Sequence, residues 1–198
     1  RYWADASMAS SWSLREDFMQ VDQTAAALIA ICRDTLSRPS EEAEALVRTR
    51  WPAVEKGAEA LVKMVREDGW HAPACDLWET LSGTFVYTNA GIYQALLQSS
   101  RMAARAGRAD IAAHWTELCR KMKAATIAIH TGEYFPRGMA GYDEPDMAAD
   151  SSTLGISEPY EMLSPSVPEE RRLIETNLEF IERSLSHTLP DGGTGIRR

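Results

Sequence analysis

Residues 85–107 read FVYTNAGIYQALLQSSRMAARAG, and small or apolar side chains recur along them at intervals of three and four. The positions with this spacing are Phe85, Thr88, Ile92, Leu96, Ser99 and Ala103. Because an α-helix turns once every 3.6 residues, these positions share one face. The stretch therefore predicts a helix with a single buried side, closed by Gly107.

The chain before this stretch has the same periodicity. One helix is predicted from Phe18 to Leu36, and a second segment opens at Ser40 with acidic residues in its first turn. Pro52 is predicted to interrupt that segment and to begin a third helix, which stops at Gly69.

The chain after this stretch continues the pattern. We expect a helix capped by Asp110 and closed by Gly132, and a last helix that starts near Pro168. No segment shows sustained period-two alternation, so we expect no substantial sheet. Helices of similar length with short links predict an all-α domain of antiparallel helical hairpins over residues 1–198. Residues 133–167 are the exception and predict a long irregular loop.

Composition limits the classes of function. The 198 residues are 44% hydrophobic and 25% charged, which is typical of a globular domain. The formal net charge of -8 repels phosphate backbones, so we expect no nucleic-acid partner. No apolar run is long enough to span a bilayer and no signal peptide is recognisable, so no membrane partner is expected. Because the chain starts at Arg1 without Met, removal of such a segment stays open.

The cysteines and histidines indicate no metal and no cofactor. Three cysteines lie at unpatterned spacings, which predicts buried thiols and favours a cytoplasmic location without establishing one; they are Cys32, Cys75 and Cys119. The histidines have no paired-ligand spacing and are interpreted as surface or core residues; they are His71, His114, His130 and His187.

The segment Cys75-Asp76-Leu77-Trp78-Glu79 carries the chemistry. It places two carboxyl groups and an indole within four residues, after a turn signal at residues 69–73. Glycosidic cleavage needs a carboxylic acid that stays protonated near neutral pH. An apolar aromatic wall raises the pKa of a carboxyl group by desolvation, and a second carboxylate acts in the same direction. On a helical turn, Asp76 and Glu79 would face the same side.

The order of several segments resembles glycoside hydrolase family 15, the glucoamylases and glucodextranases. The most specific match is Asp76-Leu77-Trp78-Glu79, followed by Ser82-Gly83-Thr84-Phe85, Tyr87-Thr88 and Ala95-Leu96. Downstream matches are Ala112-Ala113-His114-Trp115, Asp150-Ser151-Ser152-Thr153-Leu154-Gly155, Thr176 with residues 181–185, and residues 192–198. Upstream matches are residues 1–7 and the Gln-x-Asp segment at residues 18–25.

The resemblance implies a fold and a set of site residues. The fold is an (α/α)6 toroid, with the sugar site in a pit formed by loops at one end. Glu79 would be the general acid. The substrate-binding residues would be Asp76, Asp5, Trp78, Trp12 and Arg198, with Arg197 as an alternative to the last. For Asp76 a helix-capping role stays open, for Trp78 and Trp12 a packing role, and for Arg198 a place in a disordered terminus.

The chain also departs from the family pattern. Ala4 stands where the family has an arginine beside Asp5, and Thr80 stands where many relatives have a second acidic residue. The family's catalytic base lies beyond the segment that residues 192–198 resemble, so we expect it outside this chain. The acidic residues of the long loop are interpreted as solvated instead; they are Glu133, Asp143, Glu144, Asp146 and Asp150.

About half of the helices of such a ring are present. The inner faces of half a ring would be exposed to water, which is unfavourable in proportion to the apolar area. Three solutions stay open: the chain is part of a larger protein, it pairs with another copy, or its helices form a smaller bundle.

The leading hypothesis is a glucoamylase-like hydrolase of α-linked glucosides that inverts the anomeric configuration. The alternative is a non-catalytic carbohydrate-binding or regulatory module.

Overall fold

A computed structural model describes residues 20–77, 80–141 and 143–197. Its α-helices are α1 (Val21–Ser37), α2 (Ser40–Val62), α3 (Val86–Arg105), α4 (Ala109–Ala128) and α5 (Pro168–Leu185), and a 3-10 helix spans Ser151–Ile156. The links between α1 and α2 and between α3 and α4 are short, so each pair forms an antiparallel hairpin. The predicted all-α architecture is confirmed.

Helix α3 lies at the centre of the packing. It contacts α1, α2, α4 and the 3-10 helix, and most of its residues are buried. The side chains of Ala90, Ile92, Leu96 and Met102 are completely buried. Burial of a side chain such as Ile or Leu stabilises the fold by about 1.5–3 kcal/mol. The stripe predicted from residues 85–103 therefore forms the core, as expected.

The predicted helix break at Pro52 is wrong. Helix α2 runs without interruption from Ser40 to Val62 with Pro52 inside it. Pro52 faces solvent, whereas its neighbours Trp51 and Val54 are 7% and 0% exposed. Burial of these anchors on both sides of the proline outweighs the lost backbone hydrogen bond, which costs about 3 kcal/mol.

Other predicted helix ends also differ from the structure, including that of α4, which ends at Ala128 and not at the predicted Gly132. Helix α2 ends at Val62, and Gly69 instead lies in a following turn, where its amide donates to the Arg66 carbonyl at 3.1 Å. Gly69 has a φ of 87°, and a Cβ there would lie 2.8 Å from the Lys121 carbonyl oxygen of α4. Arg108 precedes α4 as its N-cap residue, and Asp110 lies within the first turn.

Short strands accompany the helices. A four-stranded antiparallel sheet has the order β1 (Ala74–Cys75), β2 (Ser82–Phe85), β3 (Gly138–Met139) and β4 (Pro145–Asp146). Strands β5 (Ser186–Thr188) and β6 (Thr194–Ile196) form a separate hairpin, with Gly192 and Gly193 between them. The glycine-rich segment at residues 192–195 thus includes part of a hairpin. Strands of two to four residues are too short to show a period-two pattern.

The region 133–167 contains β3, β4 and the 3-10 helix. Strand β3 pairs with β2, so part of this region lies against the hairpin that precedes α3. Within the described residues, no helix is both long enough and apolar enough to cross a membrane.

Candidate functional site

The Asp-Leu-Trp-Glu motif begins on the connection of a β-hairpin. Strands β1 and β2 pair antiparallel, with Cys75 opposite Ser82, and residues 76–81 connect them. The Asp76 amide donates to the Leu81 carbonyl at 2.9 Å and extends the pairing by one step. Asp76 therefore does not lie on a helical turn, because tertiary pairing of β1 with β2 replaces local helix formation.

The Asp76 carboxylate holds this connection together. Asp76 is 4% exposed, and its Oδ1 accepts the amide of Thr80 at 2.7 Å and that of Leu81 at 2.8 Å. These bonds are the same kind that an aspartate makes at a helix N-terminus, but here they close a hairpin loop. Asp76 therefore fixes the two sides of the segment that carries residues 78 and 79.

Five predicted site residues lie outside the described residues. They are the proposed acid Glu79 and the proposed substrate contacts Asp5, Trp12, Trp78 and Arg198. Thr80, which stands where many relatives have an acidic residue, is exposed and is bound to Asp76 through its backbone.

A cavity of about 350 Å³ lies beside the motif. It brings together Leu77 from the hairpin connection, Tyr87 from α3, Ser152 and Glu158 from the 3-10 region, and Ile196 from β6. The ring of Tyr87 packs edge-on against Tyr160, with ring centroids 5.0 Å apart. Three segments of the family resemblance, at residues 76–79, 150–155 and 192–198, therefore meet at one place, although they are far apart in sequence.

The acidic residues of the long loop differ in environment. Glu133, Asp143 and Glu144 are exposed, in agreement with their interpretation as solvated. Asp146 accepts the Arg137 Nε at 2.8 Å, and Asp150 is 2% exposed and accepts the Ser152 amide at 2.9 Å. The interpretation of Asp146 and Asp150 as solvated is therefore wrong, since both have structural contacts.

The described cysteines are buried thiols, as predicted. Burial raises the pKa of Cys32 to about 11 and that of Cys119 to about 12. Both thiols are protonated at neutral pH and poor nucleophiles. Within the described residues, no group of three or more His, Cys, Asp and Glu side chains is arranged to hold a metal ion.

Sequence reasoning missed the network beneath the hairpin. His71 was interpreted only as a surface or core residue, and it is completely buried, with hydrogen bonds to Phe85 of β2 and Asn89 of α3. The signal available was a histidine next to Trp70 inside a turn that leads into the motif. That signal indicates that His71 is buried, but it does not identify the residues to which the imidazole is hydrogen-bonded.

Helical hairpins packed around the buried helix α3, with a carboxylate-bearing β-hairpin before it, place the chain in the all-α class. A search of solved structures found, among its matches, the crystal structure of a bacterial glucoamylase complexed with acarbose, with a TM-score of 0.66 and 17% identity. That match covers 91% of this chain and 27% of the glucoamylase chain, so the chain spans about a quarter of that protein's length. At this identity the likeness concerns the fold alone.

The family is established by a match between the sequence and a protein-family model. The model of glycosyl hydrolases family 15 matches residues 17–188, and the chain belongs to this family. A comparison with curated proteins found no match. The resemblance inferred from the order of the motifs is thereby confirmed.

Proposed function

We propose that the protein to which this chain belongs is a glucoamylase-like glycoside hydrolase that cleaves α-linked glucosides from their non-reducing ends. The observation that carries the proposal is the family 15 match over residues 17–188, which includes the Asp-Leu-Trp-Glu motif. The bacterial glucoamylase of similar fold binds acarbose, an oligosaccharide mimic, and this supports an oligosaccharide as the ligand class.

Glu79 is proposed to protonate the leaving glycosidic oxygen. Asp76 supports that role, because its two hydrogen bonds to backbone amides fix the connection on which residue 79 lies. A fixed donor does not have to be reorganised during the reaction, which lowers the barrier. Trp78 and Trp12 would line the sugar pocket, and Asp5 and Arg198 would bind sugar hydroxyl groups.

An inverting reaction also needs a carboxylate that activates water, about 6.5–9.5 Å from the acid. Among the acidic residues of the long loop, Asp146 is paired with Arg137, and Asp150 caps the 3-10 helix. Both contacts are structural, which argues against either carboxylate as the base. The base is proposed to come from sequence outside these 198 residues.

The test is the anomeric form of the product. We expect the full-length protein to release β-glucose from maltooligosaccharides, followed by NMR before mutarotation. Glu79→Gln removes the proton donor, and loss of one general acid lowers kcat by about 10²–10⁴-fold. Glu144→Gln, at an exposed loop position, serves as the matched control and leaves the rate unchanged. A Glu79→Gln variant with the same kcat as wild type would refute the assignment of Glu79 as the acid.

A non-catalytic carbohydrate-binding module is the second candidate. It is favoured by Thr80, whose hydroxyl carries no charge that would help to keep a neighbouring carboxyl group protonated. Such a module binds acarbose in calorimetry but releases no sugar from any α-linked glucoside. Binding without turnover by the full-length protein would favour this candidate over the hydrolase.

A further inference from the structure

The imidazole of His71 bridges the two arms of the motif hairpin. The Phe85 amide, at the end of β2, donates to Nε2 at 2.7 Å, and Nδ1 lies 2.6 Å from the Ala72 carbonyl oxygen, before β1. An amide can only donate, so Nε2 is the acceptor and Nδ1 carries the proton that it donates to Ala72. One neutral tautomer therefore satisfies a buried donor on one arm and an acceptor on the other.

The backbone of His71 is fixed by side chains from the surrounding elements. Its amide donates to Asn89 Oδ1 at 3.1 Å, and its carbonyl accepts the Thr84 hydroxyl at 3.1 Å. The Asn89 amide group also donates to the Gly69 carbonyl at 3.3 Å and to the Thr126 hydroxyl at 3.0 Å. The turn at residues 69–72, β2, α3 and α4 are thus joined in one buried network.

The surroundings keep the imidazole neutral. His71 is completely buried, and desolvation lowers its pKa from 6.5 to about 4. Arg66 is the charged side chain whose field also disfavours protonation. At neutral pH the ring is therefore held in the one state that can accept from Phe85.

We propose that His71 is a positioning residue for the acid-bearing loop: its two ring hydrogen bonds set the relative placement of the arms that hold Asp76 and Glu79. The role rests on the proposed function, because it acts through Glu79 and not on the sugar. A displacement of about 1 Å in a catalytic group can lower the rate about 10²-fold. The two ring bonds of His71 reach the described ends of the hairpin, Ala72 before β1 and Phe85 at the end of β2.

The kinetic test uses the full-length protein with His71→Phe, which removes both ring bonds, and His71→Gln, whose amide oxygen can accept from Phe85. We expect kcat to fall about 10–100-fold in the first variant, with KM changed less than about two-fold, and a partial recovery in the second. His114→Gln, at an exposed position of α4, is the control and leaves kcat unchanged. Equal kcat in folded wild type and His71→Phe would overturn the proposal.

A second measurement is independent of activity. In hydrogen exchange, the amides of Thr80 and Leu81 report whether the Asp76 bonds persist, and the Cys119 amide in α4 reports global unfolding. We expect His71→Gln to speed exchange at Thr80 and Leu81 by about ten-fold or more while Cys119 stays protected. Thr84→Val, which has the same shape and removes only the hydroxyl bond to the His71 carbonyl, replaces the His71 variants if they fail to fold. We expect it to speed exchange at the same two amides by a smaller factor. Unchanged exchange at Thr80 and Leu81 would overturn the positioning role, whereas absence of glucose release by wild type would overturn only the proposed function.

Discussion

Acidification should destabilise the fold through His71. In the folded protein its pKa is lowered to about 4, whereas in the unfolded chain it has its ordinary value of 6.5. Between these values the unfolded state binds a proton that the folded state does not, so stability falls as pH falls. The contribution is fully present above about pH 6.5 and is lost progressively down to about pH 4.

The size of the effect follows from the difference between the two pKa values. One pH unit of difference corresponds to about 1.4 kcal/mol, so 6.5 against about 4 gives about 3 kcal/mol of unfolding free energy. The burial of His71 justifies using this difference without a reduction for solvent screening. The main physical cause is desolvation of the buried ring, which disfavours its charged form. A protonated Nε2 could also no longer accept from the Phe85 amide.

Urea unfolding of wild type and His71→Gln between pH 7.5 and pH 4 measures the effect. The quantity of interest is the difference in unfolding free energy between the two proteins, in which the other titrating groups cancel. These include His130, whose pKa is also lowered by desolvation. We expect the advantage of wild type to shrink by about 3 kcal/mol across this range. A difference that stays constant with pH would refute the buried, neutral state of His71.

Three further predictions test the fold and the hairpin by the urea midpoints of variants. Pro52→Ala should raise the unfolding free energy by about 1–2 kcal/mol, because an exposed proline inside α2 omits a backbone bond; a lower midpoint would contradict this. Gly138→Ala should destabilise by at least about 1–3 kcal/mol, because a Cβ there would overlap the Thr84 carbonyl oxygen, whereas Gly141→Ala, with open space around it, should have little effect. Asp76→Ala should lose about 1–2 kcal/mol with its two amide contacts, and Asp76→Asn, which keeps a weaker acceptor, should lie between it and wild type; equal stability of all three would show that the loop does not depend on this carboxylate.

The helices were predictable from the sequence where small or apolar residues form a continuous stripe along one face. Helix α3 follows the stripe from Phe85 to Ala103, and α5 begins at the predicted Pro168. The break at Pro52 was wrongly predicted because the proline is a local signal, whereas the burial of Trp51 and Val54 is tertiary. Local preference loses to packing when anchors on both sides of a helix breaker are buried.

The local geometry of the site was less predictable. A helical turn would bring Asp76 and Glu79 to the same side, yet Asp76 follows a two-residue strand and closes a hairpin. Such a strand shows no periodicity. It pairs with β2, which pairs in turn with β3, more than fifty residues further along the chain. The role of His71 was hidden for the same reason, since its partner Phe85 lies fourteen positions away.

The order of the motifs nevertheless indicated the family, and the structure gives a physical reason. A helix stripe accepts any residues of similar volume and polarity, so it determines packing but carries little information about chemistry. The cavity beside Leu77 depends on a few positions, with Tyr87, Ser152 and Ile196 drawn from separate segments. When several such segments occur in the right order, the helices between them must have the lengths that bring their ends together. Motif order is therefore a constraint on three-dimensional arrangement, and this is why it identified the family although the local geometry of Asp76 was misjudged.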